Sequence, residues 1–452
     1  MKPYFLALWA LMLLLFLTGC ATPRDAAWPQ SRPLGNTLPA YQPPVLPTTR
    51  DTLHAEDSAP SNVLSLREAL VLALLHNPDL RAFAWEVRAH EARTLQTGLR
   101  PNPEFVTDLE DFGGSRALSG FHSTETTVGL SQLIELGGDR HRRHRVAVFE
   151  RDLAGWDYET VRLDVLTKTA QAFTGVLAAQ ERLTLADSLL AQAQQFYESV
   201  AARVESGKVS ALEERRAQVV LSTTRLTYER TTWDLAAKRT RLAAAWGGST
   251  PTFERVTGDL AAVEAVPPAQ RLGNFIERNP DVARWRDEMA LRRAGVALER
   301  ARGIPDPVFI VGIRRVRELH ESALAAGISI PLPLFDRNQG TVREAKYRLR
   351  QGEEAQQAAQ VKARRMLAEA YGQLASAYSE VNTLQQDVLP AAQEAFTATE
   401  EGYLEGKFDL LMLLDAQRTL FETTNQYIDA LAVYHIARAE VERLIGTPLS
   451  DI

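Results

Sequence analysis

Hydrophobic positions along this 452-residue chain fall into three regimes. The first is a continuous apolar run from Tyr4 to Leu17. The second is a weak two-residue alternation. It is clearest where Thr124, Thr126, Val128 and Leu130 interleave with Glu125, Thr127 and Gly129, as in strands that turn one face to lipid. The third regime is helical. Between Asp139 and Ser206 the apolar residues Phe149, Leu153, Trp156, Leu163, Leu166, Ala170, Phe173 and Leu177 step by threes, fours and sevens, which is a coiled-coil seam. No proline occurs between Pro103 and Pro251, and at ~1.5 Å per residue the first helical arm reaches about 100 Å.

These regimes recur in order. Asn77-Pro78-Asp79-Leu80 returns as Asn279-Pro280-Asp281-Val282, and Pro101-Asn102-Pro103-Glu104-Phe105 returns as Pro305-Asp306-Pro307-Val308-Phe309. Gly207-Lys208 matches Gly406-Lys407, and the same shift pairs Leu212 with Leu411, Ala217-Gln218 with Ala416-Gln417, Tyr228 with Tyr427 and Gly247 with Gly446. A unit of roughly 200 residues has been duplicated, too long for a solenoid repeat. Each unit opens with a helix, about Ser65 to Leu99 and about Pro268 to Arg302. A Pro-x-Pro element stops it, since proline cannot continue a helix. Two strands follow, Glu104 to Phe112 and Ser123 to Leu136 in the first unit, Val308 to Val316 and Ser322 to Leu334 in the second. A helical hairpin then runs over about 139–246 and about 338–445, turning at Gly207 and Gly406, with a kink expected at Pro390. The organisation is therefore 1–19 leader, 20–62 proline-rich segment, 63–260 first repeat and 261–452 second repeat, the proline-rich part being either an extended tether or a strap on the body.

The apolar run, preceded by Lys2 and ended by Leu17-Thr18-Gly19-Cys20, reads as a secretory leader with a lipoprotein cleavage box. Cys20, the only cysteine, is the expected lipidation site, and Ala21 after it favours the outer membrane. No disulfide can form within such a chain. The formal charge of −6 disfavours nucleic acid as a partner. After the leader no apolar run approaches the ~18 residues of a transmembrane helix, so entry into a bilayer must use strands. Four strands leave two unpaired edges. Closure needs two chains for eight strands or three for twelve, giving a β-barrel above a helical tube, which is a conduit.

The duplicated strand-strand-hairpin unit, with Tyr403-Leu404-Glu405-Gly406-Lys407 leading to Leu413-Leu414-Asp415-Ala416-Gln417-Arg418, resembles the TolC-type outer-membrane efflux family from Ser65 to Thr447. Glu110-Asp111-Phe112-Gly113-Gly114, Leu130-Ser131-Gln132 and Ile134-Glu135-Leu136-Gly137-Gly138-Asp139-Arg140 are most similar to its CzcC heavy-metal branch. The resemblance implies a homotrimer whose twelve-stranded β-barrel is continuous with an α-helical coiled-coil barrel. It also implies docking to a periplasmic adaptor and an inner-membrane transporter of the resistance-nodulation-division type. It implies a channel without catalytic residues or cofactors. Heavy-metal cations are the expected cargo. A drug-efflux or type I secretion channel shares the architecture, and a non-pore periplasmic coiled-coil scaffold is the alternative of another class.

On threefold symmetry, Asp409 and Asp415 beside the second turn would ring the periplasmic mouth with carboxylates and draw cations, with Tyr403 part of the same gate. Solvated helix ends, or an ion pair of Asp415 with Arg418 or Arg216, are the plainer readings. Gly207, Lys208, Gly406 and Lys407 are expected to contact the adaptor or simply to shape the hairpin tips. The tip departs from other branches in carrying Phe408-Asp409-Leu410-Leu411-Met412. His141 and His144 lie one turn apart, but Arg140, Arg142, Arg143 and Arg145 surround them and repel a dication. No HExxH, phosphate loop or cysteine-based zinc spacing is present, and no metal site or enzyme is expected.

Overall fold

The computed structural model describes residues 28–45 and 62–452, so Cys20, the leader and much of the proline-rich segment lie outside the described residues. The chain divides into two compact units. One comprises 89–151 and 297–341 with the described residues 28–30, and the other comprises 31–88, 152–296 and 342–452. In chain order the principal elements are β1 (Val63–Ser65), α1 (Leu66–His76), α2 (Pro78–Thr97), β2 (Glu104–Glu110), β3 (Glu125–Leu133), α3 (Asp139–Glu205), α4 (Ala211–Ala244) and β4 (Arg255–Thr257). There follow α5 (Ala269–Gly273), α6 (Pro280–Ala283), α7 (Trp285–Ala301), β5 (Val308–Val316), β6 (Glu321–Ser329), α8 (Gln339–Thr383), α9 (Leu389–Leu404) and α10 (Leu410–Ile445).

The first unit is built on an antiparallel sheet of order β2-β3-β5-β6, leaving β2 and β6 at its edges. Residues directly opposite one another share a face. The register places Phe105 beside Leu130 and Val311, Val128 beside Ile313 and Leu324, and Phe309 beside Ile328. Of these, Phe105, Val128, Phe309, Val311, Ile313, Leu324 and Ile328 are exposed large hydrophobics. The opposite face carries Glu104, Asp108, Glu110, Glu125, Thr127 and Ser131, with Arg314 reaching Glu125 at 2.9 Å, Glu110 at 3.4 Å and the Thr127 hydroxyl at 3.2 Å. The strands end three to five residues earlier than the sequence suggests after β3 and β6, because Pro307 and the Pro331 to Pro333 segment interrupt pairing there. Beyond β2, Phe112 and Phe121 stack at 5.9 Å between ring centres.

In the second unit the opening helix expected as one piece is broken. Asn77 is extended (φ −58°, ψ 123°) between α1 and α2 because Pro78 has no N–H to continue the ladder. The Asn77 side chain instead accepts from the Leu80 N–H at 2.9 Å and donates to the Ala245 carbonyl at 2.8 Å. The second copy of the motif breaks its helix into α5, α6 and α7 with a short 3₁₀ turn, and there Asn279 caps Asp281 and donates to the Leu444 carbonyl. Phe173 and Val176 of α3 pack on Leu242 of α4, with Leu64, Phe253 and Val256 closing that cluster. Leu367, Leu374 and Val381 of α8 pack with Ile428, Leu431, Tyr434 and Val441 of α10. Between α8 and α9 the backbone widens into a π-helical turn at Leu384–Val388, and this turn accommodates Pro390, which can donate no bond to the preceding turn.

Residues 32–43 belong to the second unit and are tied to its helices. Arg162 is fully buried, 1% exposed, and bonds Glu159 at 2.7 Å while donating to the carbonyls of Arg32 at 3.2 Å and Leu34 at 2.9 Å. The Arg32 guanidinium stacks 4.3 Å over Trp156, whose indole N–H donates to Asp287 at 2.7 Å. Tyr41 N–H bonds Leu74, and Leu34 N–H bonds Gly446.

Candidate functional site

The two hairpin tips are built alike because both are stopped and restarted by the same local chemistry. Gly207 and Gly406 adopt positive φ (71° and 75°), the left-handed geometry that glycine reaches without a Cβ penalty. Gly207 N–H bonds the Val204 carbonyl and Lys208 N–H bonds Arg203. One repeat later Gly406 bonds Tyr403 and Lys407 bonds Gly402. These paired bonds close each arm in a Schellman motif. Ser210 then caps α4 by accepting from Leu212 N–H at 3.1 Å, and Asp409 caps α10 by accepting from Met412 N–H at 2.9 Å. Asp409 thus stands where the first repeat has a neutral cap and adds a charge to the same device.

The second tip carries contacts that the first lacks. A Cβ on Gly402 would overlap the Phe408 ring, so the absence of a side chain at 402 is what lets Phe408 fold back over α9. Tyr403 is half-buried between Phe196, 6.2 Å away, and Arg203, whose guanidinium sits 5.4 Å over the ring and donates to the hydroxyl at 3.2 Å. Burial holds the Tyr403 hydroxyl above its usual range, and nearby Arg203 opposes that shift. Lys407 pairs with Glu405 beside the turn. Asp415 pairs with Arg418 at 2.9 Å along the same helix, both side chains exposed, and Arg418 also reaches Glu422 at 3.9 Å.

The structure therefore gathers Tyr403, Gly406, Lys407 and Asp409 at one tip and Gly207 and Lys208 at the other, with Asp415 almost two turns up α10. Arg203, Phe196 and the Gly402–Phe408 contact were not legible in the sequence. An arginine four residues before a turn glycine has no signature of its own, whereas the Ser210–Asp409 capping correspondence follows from the repeat shift alone. In the other unit Arg143 pairs with Glu135 at 2.6 Å, Arg142 donates to the Gly137 carbonyl, and Arg145 lies 5.9 Å over Phe149. Three of the four arginines around His141 and His144 are thus tied to the chain itself. Among the described residues there is no group of three or more His, Cys, Asp or Glu side chains placed to hold a metal ion, and no helix long and apolar enough to cross a membrane.

A family described as outer membrane efflux protein matches residues 69–248 and 272–447. The chain is 36% identical over 386 residues to the cobalt-zinc-cadmium resistance protein CzcC of Cupriavidus metallidurans, covering 85% of this chain and 90% of that one. It is 30% identical over 298 residues to the nickel and cobalt resistance protein CnrC of the same species, covering 66% and 69%. Among solved structures it superposes on the open state of the Neisseria gonorrhoeae MtrE outer membrane channel with a TM-score of 0.70 at 19% identity, covering 91% of this chain and 98% of that one. At that identity the likeness concerns the fold.

Proposed function

Because this chain belongs to the outer membrane efflux protein family, we propose that it is the outer-membrane exit duct of an efflux assembly that clears heavy-metal cations from the periplasm. It is a channel component and not an enzyme, located in the outer membrane with a periplasmic helical part. The observation that carries the duct reading is the β2-β3-β5-β6 sheet. One face is apolar and exposed, the other is polar and acidic, and both edges are open. In lipid an open edge leaves backbone groups unpaired at several kcal/mol each, so the sheet is completed by further copies of itself. Three copies make a twelve-stranded barrel, within the range of membrane barrels. Its acidic inner face suits cationic cargo.

The same reading assigns the second tip, with Tyr403, Asp409 and Asp415, to the periplasmic gate. It assigns Gly207, Lys208, Gly406 and Lys407 to contact with a periplasmic adaptor, which links the duct to an inner-membrane transporter of the resistance-nodulation-division type. Cys20 is the proposed lipid attachment point, and Cys20→Ser then abolishes incorporation of labelled fatty acid. Metal cargo is supported by the names of CzcC and CnrC. A strain lacking this gene should lose tolerance to cobalt, zinc or cadmium and regain it on complementation. Unchanged metal tolerance with increased drug sensitivity would instead assign the chain to a drug-efflux assembly.

A further inference from the structure

The acidic residues of the four-stranded sheet all fall on one face. In the register of β2, β3, β5 and β6, Glu104, Asp108, Glu110, Glu125 and Glu321 share the face that turns away from Phe105, Val128 and Leu324. The only basic residues of these strands are Arg314 and Arg315, and Arg314 alone shares the acidic face. Glu110 and Glu125 stand directly opposite each other on β2 and β3, a pairing of like charges that weakens a sheet. Arg314 answers it. Its guanidinium lies 2.9 Å from Glu125 and 3.4 Å from Glu110, and it donates to the Thr127 hydroxyl at 3.2 Å. Beside this cluster the same face carries small residues. Gly129 and Gly312 are opposite one another, where a Cβ on either would meet the neighbouring backbone, and Ala323 and Ala325 follow on β6. The ion pairs do little as a brace, because all three side chains are partly exposed and the β3–β5 ladder is already paired from Glu125 to Leu133.

We propose that Arg314 is a tethered counter-ion that fills the Glu110–Glu125 pair and so keeps a divalent cation from lodging there on its way out of the duct. The inference rests on the duct proposed above and names a residue that sets its selectivity. Charged side chains at membrane depth face water-filled cavities and mark ion pathways. Two carboxylates side by side make an oxygen site suited to a divalent cation. Conduction, however, needs binding favourable enough to admit an ion and weak enough to release it. A guanidinium held by the same two carboxylates occupies the tight site, while Glu104 and Asp108 remain on that face to draw cations forward. The placement fits an exit. Glu110 and Glu125 flank the β2–β3 loop, at the opposite end of these strands from the one where α2 enters and α3 leaves.

The test is block by a divalent cation. Full-length protein purified from the outer membrane is reconstituted in a planar bilayer in KCl, and zinc chloride is titrated into both chambers. Arg314→Gln bares the carboxylate pair, so zinc should halve the current at a concentration about tenfold lower than in the parent. Arg314→Lys keeps the charge and should behave as the parent. Adding Glu110→Gln with Glu125→Gln to Arg314→Gln should remove the extra block. A second arm needs no change at Arg314: Glu110→Gln with Glu125→Gln alone leaves the guanidinium unneutralised and should move the reversal potential in a KCl gradient towards chloride. Equal zinc block in Arg314→Gln and the parent, or an unmoved reversal potential in the Glu110 and Glu125 variant, would overturn the counter-ion role and leave the duct standing. A parent chain that assembles yet never conducts would overturn both.

Discussion

Asn279 donates its side-chain amide to the Leu444 carbonyl across 3.0 Å, and one repeat earlier Asn77 makes the same bond to Ala245 across 2.8 Å. The duplicated Asn-Pro-Asp motif is therefore a tie between the opening helices of each repeat and the end of its own hairpin. Asn279 is buried, so Asn279→Ala leaves the Leu444 carbonyl without its partner and removes a helix cap. A loss of about 1–3 kcal/mol is expected in denaturant unfolding. A loss below a few tenths would mean the motif acts only through its proline.

The Glu159–Arg162 pair predicts a separable effect on the strap. Removing one partner strands a buried charge, and Glu159→Ala should cost about 3–5 kcal/mol. Replacing both, Glu159→Leu with Arg162→Met, should recover most of that stability, since hydrophobic replacements of buried pairs are often neutral. The carbonyls of Arg32 and Leu34 would still lack their donor. Limited proteolysis within residues 31–45 should therefore be accelerated in the double variant despite its restored unfolding midpoint, and equal cleavage rates would show that the strap is held by other contacts.

At the second tip, capping and charge can be pulled apart. Asp409→Asn retains a good cap and removes the charge, whereas Asp409→Ala also loses the bond to Met412 N–H, worth about 1 kcal/mol. If Asp409 serves the gate, Asn and Ala should lower cation preference alike in single-channel recordings. If it only caps, Ala alone should disturb the channel. Asp415→Asn should reduce cation preference with almost no loss of stability, because its exposed pair with Arg418 contributes about 0–1 kcal/mol.

His435 makes stability depend on pH. Its Nε2 donates to the Leu260 carbonyl at 2.8 Å, and burial holds the imidazole below its ordinary range, with Arg438 adding to that shift while the Leu260 bond, Asp259 and Glu264 oppose it. The unfolded chain takes up this proton near pH ~6.5 and the folded chain only at lower pH, so stability present above that pH is lost as acidity carries the solution through it. Melting temperature should fall between pH 7.5 and 5.5, and His435→Gln, which keeps a donor but cannot titrate, should show a smaller fall. An identical fall would assign the acid sensitivity to other groups.

Much of this architecture is readable from residue order because it is periodic or punctuated. The heptad seam from Phe149 to Leu177, the alternation around Thr124 to Leu130 and the glycines at 207 and 406 each have a local cause, and the duplication states them twice. The break at Asn77 is hidden in the sequence because helical periodicity runs on through it, and only the reach to Ala245, far along the chain, shows what Asn77 does. The setting of Tyr403 was hidden for the same reason, since Arg203 and Phe196 come from the other repeat's arm. Proline-rich composition does not by itself decide between a tether and a strap for residues 32–43. A single arginine, Arg162, has no sequence mark that tells a buried donor from a solvated one.

The most direct test of the duct is electrical. Full-length protein purified from the outer membrane and reconstituted in a planar bilayer should give discrete conductance steps, with a reversal potential in a salt gradient that favours cations, as the acidic inner face of the sheet requires. A protein that inserts as the same assembled species yet gives no steps at any voltage, with or without Asp409→Asn and Asp415→Asn, would contradict the channel and leave a helical scaffold.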